Sequence, residues 1–117
     1  MANLEIKLIT AEQCKKYEVA MAELRSLCDK NSVECYEWME VMIRIHKAHD
    51  RQYPLEGGCA LRVMRVALRL RSAGVDIAPV VELARQLISQ ELLPSPKWLL
   101  MCSEMGIEAA PTGTIND

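Results

Sequence analysis

Phenylalanine is absent from this chain, and two Trp and three Tyr are its only aromatic residues. A core without benzyl groups must be filled by aliphatic side chains and by seven Met, the flexible residues that suit irregular gaps and adaptable interfaces. No apolar run approaches the ~20 residues of a membrane helix, which excludes a helical span. The start, MANLEIK, has no signal-peptide pattern, and a cytoplasmic protein is expected. The five cysteines (Cys14, Cys28, Cys35, Cys59, Cys102) are odd in number and form no CxxC. They read as reduced, mostly buried small residues. No glycine-rich phosphate loop, GxSxG or HExxH occurs, which argues against an enzyme. Strong basicity is missing too: net charge is −2 and the pI is near 5.7, against a general nucleic-acid binder.

What is present is apolar and helical. Hydrophobic residues make up 50% of the 117, enough for one ordered domain with a modest core. Residues 3–9 (NLEIKLI) form the only alternating stretch, with Leu4, Ile6 and Leu8 on one side. A lone strand cannot satisfy its own backbone. This arm therefore pairs with its copy across a dimer, adds to a partner's sheet, or lies irregularly on the core.

Thr10 with Gln13 predicts a capping box opening a first helix. Its apolar residues Cys14, Tyr17, Met21, Leu24 and Cys28 follow a heptad seam, too short for a free coiled coil. A second box, Asn31 with Glu34, predicts the start of a helix running to Asp50. There Glu37, Glu40, Arg44 and Lys47 occupy one wedge and the rest is largely apolar, so this helix is expected to be central and covered on several sides. RQYPLEGG is the clearest loop. A third helix runs from Cys59 to Ala73, with a wide apolar set, Arg62, Arg65 and Arg69 on the remaining face and Arg71 on the apolar side in the last turn, and ends at Gly74. Asp76 can cap a fourth helix, and Ser95–Pro96 a short fifth one over Lys97–Met105, ended by Gly106. The expected fold is all-α: a compact bundle of about five helices over residues 11–106, an extended arm over 1–10 available to pair as a strand across a dimer, and a tail over 107–117.

Three clusters could carry chemistry. His46 and His49, three residues apart beside Asp50, could hold a metal, but Cys35 lies roughly 16 Å along the axis and no third ligand is evident. Cys59 opens the third helix behind Gly57–Gly58, where a helix N-terminus can activate a thiol, yet no nucleophile motif surrounds it. The segment from Val66 to Leu87 faintly resembles a helix-turn-helix with Arg62, Arg65 and Arg69 alongside it, which keeps a small DNA-binding regulator as an alternative. A thiol or metal-dependent enzyme is the third alternative. No catalytic residue, metal ligand or cofactor is assigned.

Two helices wanting cover on more than one side leave apolar surface for a partner. Met39, Met42, Ile43, Trp98 and Met101, with Arg62, Arg65 and Arg69, are the residue types enriched at interface hot spots, and are the expected protein-binding residues. Leu4, Ile6, Leu8, Tyr17, Met21 and Leu24 are the expected dimerisation residues. On the extended start LEIKLIT, the helix AEQCKKYEVAMAELRSLC, the Met-rich second helix and its length, the chain resembles the QslA-type anti-activators of bacterial quorum sensing. That resemblance implies a non-enzymatic homodimer. It would bind the ligand-binding domain of a LuxR-type transcription factor and block the dimerisation that factor needs to bind DNA.

Overall fold

The structure, a computed structural model, describes residues 7–92 and 96–107. Five helices follow one another: α1 (Ala11–Lys30), α2 (Glu37–Arg51), α3 (Cys59–Ser72), α4 (Ala78–Gln90) and α5 (Lys97–Met105). The all-α expectation holds, and among the described residues the only β pairing is an isolated parallel bridge between Leu55 and Glu91.

The capping box at the start of α1 forms in both directions. Gln13 N–H donates to Thr10 Oγ1 (3.1 Å), and Thr10 N–H donates to Gln13 Oε1 (2.9 Å). The heptad seam is buried along the whole helix. The second expected box does not form. Asn31 instead closes α1: its backbone N–H reaches Cys28 and Asp29, and its side-chain amide donates to Leu27 O. Ser32 then takes a left-handed φ of 56°, and Val33 N–H returns to Cys28 O. With Asn31 spent on the preceding helix, α2 begins only at Glu37, without a side-chain cap.

The centre of the molecule is α3, not α2. Eight of its residues are buried, from Cys59 to Leu70, and it packs against α2, α4 and α5. Ala60 and Ala67, both fully buried, let those neighbours approach closely. By contrast α2 buries one stripe, Val41, Met42, Ile45 and Ala48, between α1 and α3. The helical wheel reports how much of α2 is apolar; it does not report how many neighbours arrive to cover it.

α1 and α2 run antiparallel. Trp38, early in α2, donates its indole N–H to Met21 O, while His46, two turns later, meets Glu18, nearer the start of α1. The described end of the arm lies along α4: Gln90 Nε2 donates to Lys7 O (3.0 Å) and Lys7 Nζ to Ser89 O (2.8 Å). Ile9 is the residue of this segment that is buried, and Leu8 is exposed. Leu4 and Ile6 fall outside the described residues. No described helix is long and apolar enough to cross a membrane.

Glu91 joins two layers. It follows α4 directly, is 3% exposed, and its carboxylate accepts from Ala60 N–H (2.7 Å) and Gly58 N–H (3.2 Å). It thereby satisfies backbone donors at the start of α3, where the helix dipole favours negative charge. Burial still pushes its pKa above the ordinary 4.5, the three backbone hydrogen bonds at residues 58–60 only partly opposing it.

Candidate functional site

The outer face of α2 carries Tyr36, Met39 and Ile43, which are 66%, 59% and 46% exposed. At a spacing of three and four they line one side of the helix, opposite Val41 and Ile45. With Tyr53 they form an open groove of ≈ 600 Å³, bounded by Glu40, Arg44, Lys47 and Glu56. A contiguous apolar stripe inside charged residues is the usual composition of a protein-contact surface.

Alongside the stripe runs a ladder of ion pairs between α2 and α3. Arg69 grips Glu37 in bidentate fashion (2.8 and 2.6 Å) and lies 5.0 Å from the Tyr36 ring centroid. Arg62 reaches Glu40 (3.2 Å) and also donates to Gly58 O (3.0 Å). Arg44 shares Glu40 (3.1 Å) and approaches Glu56 (3.6 Å). Burial disfavours the Glu37 carboxylate, but the Arg69 hydrogen bond and charge, with Arg65 adding, hold its pKa below the ordinary value. Two of the three arginines of the basic stripe are thus matched by glutamates within the chain, which lowers the positive charge left to meet phosphate. Arg65 is exposed.

The residues expected at interfaces divide sharply. Met39 and Ile43 are on the surface, and Met101 is half-buried. Met42 and Trp98, at 8% and 3% exposure, are core residues. Tyr17, Met21 and Leu24, expected to join two copies, are buried within the chain itself by the antiparallel partner α2 and by α4. Tyr17 donates its hydroxyl to the buried Gln90 side chain. These five spend their apolar surface on their own fold and offer little to a partner. Sequence reasoning overlooked Tyr36, Leu99 and Leu100, the last two 59% and 63% exposed on α5. For Tyr36 the signal was available in its helical spacing from Met39 and Ile43.

Cys59 does not have the setting of a nucleophile. It is fully buried, and burial, with the charge of Glu91, pushes its thiol up to about 12. The histidines separate: His49 turns to Asp50 (3.7 Å), whereas His46 Nε2 lies 2.7 Å from Glu18 Oε2. Cys14 sits one turn before Glu18. Ligand atoms of Cys14, Glu18 and His46 all lie within 4.8 Å of one another. The neighbours that His46 lacks in sequence therefore come from α1, and His49 is not among them.

Comparison with protein-family models, curated proteins and solved structures finds no match.

Proposed function

We propose that this chain is a non-enzymatic regulatory protein of the cytoplasm that binds and sequesters another protein through the outer face of α2. The observation that carries the reading is the exposed Tyr36–Met39–Ile43 stripe, flanked by the Glu37–Arg69 and Glu40–Arg62 pairs. An apolar stripe supplies the area that an interface core needs, Met adapts to its partner's shape, and the surrounding charges orient the approach. The resemblance of the chain to QslA-type anti-activators suggests the partner: a LuxR-type transcription factor, whose dimerisation and DNA binding would be blocked. The homodimer implied by the same resemblance would use a surface other than the buried α1 seam, and sedimentation velocity reads its existence directly.

The test uses a purified LuxR-type factor from the organism that encodes this chain. Added in excess, the wild-type protein should abolish the factor's shift of its DNA site and elute with it as one complex. Ile43→Asp, which leaves the helical circular dichroism intact, should lose both effects. An unchanged DNA shift with the wild type would reject sequestration. Full inhibition by Ile43→Asp would reject this face as the contact.

A further inference from the structure

We infer that Cys14, Glu18 and His46 form a zinc site that ties α1 to α2. The cluster combines the three side-chain types that bind this borderline-soft ion: thiolate, carboxylate and imidazole. Cys14 and Glu18 stand one turn apart on the same side of α1. His46 faces them from the antiparallel α2, with Nε2 already 2.7 Å from Glu18 Oε2. All three ligand atoms lie within 4.8 Å of one another.

In a tetrahedral zinc site with bonds of about 2.0–2.3 Å, ligand atoms stand roughly 3.3–3.6 Å apart. The cluster therefore contracts around the sulfur by no more than about 1.5 Å while the Glu18–His46 contact opens slightly. Both movements are within the reach of side-chain rotation, because the Glu18 and His46 side chains are each 46% exposed. Cys14, at 7% exposure, forms the floor of the site and keeps its sulfur away from bulk solvent.

The charges balance. Zinc displaces the Cys14 thiol proton to solvent and forms a Zn–S bond; thiolate and Glu18 carboxylate then neutralise the dication, and His46 binds as neutral imidazole. The fourth position falls to water. The other cysteines are placed differently: among the described residues no other group of three or more Cys, His, Asp or Glu converges in this way. Sulfur and nitrogen ligands select against magnesium and calcium.

Cobalt(II) is the spectroscopic probe, followed by competition with zinc. The full-length protein should take up one cobalt per chain, showing a thiolate-to-cobalt charge-transfer band and the intense visible bands of a tetrahedral ion. One equivalent of zinc should bleach both and raise Tm. Cys14→Ser should abolish the charge-transfer band. His46→Gln and Glu18→Gln, at exposed positions that leave the fold intact, should each weaken cobalt binding at least tenfold. Cys35→Ser, at the half-buried thiol away from the site, should leave the spectrum unchanged. Absence of the charge-transfer band at saturating cobalt would overturn the inference. So would a band that survives His46→Gln at wild-type affinity, because the thiolate would then belong to another site.

Discussion

Glu91 shows how one buried side chain can serve two helices. Its carboxylate replaces a water or a serine cap at the start of α3, and the same residue ends α4. Glu91→Ala would leave the Gly58 and Ala60 N–H groups buried without acceptors, at a cost of about 2 kcal/mol and a fall in Tm of roughly 8 °C, read by thermal melting. Glu91→Gln keeps the size but can offer only one oxygen to the two donors. Its penalty should vary with pH in a defined direction. Because burial raises the native pKa, the native state holds the Glu91 proton more tightly than the unfolded chain. The stability this confers is complete below the ordinary value near 4.5 and is lost as pH rises through the raised native pKa. Parallel melts of wild type and Glu91→Gln from acid to neutral pH should show the gap between them shrinking as pH rises.

Gly58, the residue before α3, adopts φ 110°, and a Cβ built there would meet Arg62 Nη1 at 2.6 Å. Gly58→Ala therefore adds backbone strain of about 1–2 kcal/mol and displaces the guanidinium from Glu40 and from Gly58 O. Urea denaturation should show a lower midpoint with an unchanged slope. This position was legible as a loop from the Gly57–Gly58 pair. Its specific geometry was not, because the atom that fills the space arrives from the next turn of α3.

At the scale of elements, local signals were read well and contacts between elements were not. The Thr10–Gln13 box, the stop at Gly74 and the Gly106 terminus are encoded within a few residues, so the sequence displays them. Asn31–Glu34 met the same pattern, but Asn31 is also a good helix terminator, and the earlier helix claimed it. The misjudged centrality of α2 has a similar origin. Its wheel is apolar, yet its two neighbours cover one side only, and Met39 and Ile43 stay outside. Paired substitutions separate the two faces. Met39→Ser with Ile43→Ser should shift stability by less than about 0.5 kcal/mol, whereas Ile45→Ala, at a fully buried position, should cost about 3 kcal/mol. The Cys14–Glu18–His46 cluster was illegible for the same reason: Glu18 and His46 are 28 residues apart, and only the antiparallel packing of α1 on α2 brings them together.

Across the whole molecule, acid should act through the α2–α3 ladder. Glu37 has a lowered native pKa, so its pairing with Arg69 stabilises the fold above the ordinary carboxylate value and that contribution disappears as pH falls through the native one. Tm should drop as pH falls below the ordinary carboxylate value, and Glu37→Gln, lower by about 1 kcal/mol at neutral pH, should show a shallower drop.

The arrangement of one helix in the middle and the others around it also sets an order of opening. α3 alone has neighbours on three sides, whereas α5 rests on α3, and α1 rests mainly on α2. Amide protons of α3 can exchange with solvent only when the entire molecule opens, and those of α5 and α1 through smaller, cheaper excursions. In native-state hydrogen exchange the slowest amides should therefore cluster between Ala60 and Leu70, with α1 released earlier and on its own. A chain that can loosen its first helix while its middle stays shut keeps two thermodynamic units inside one small domain.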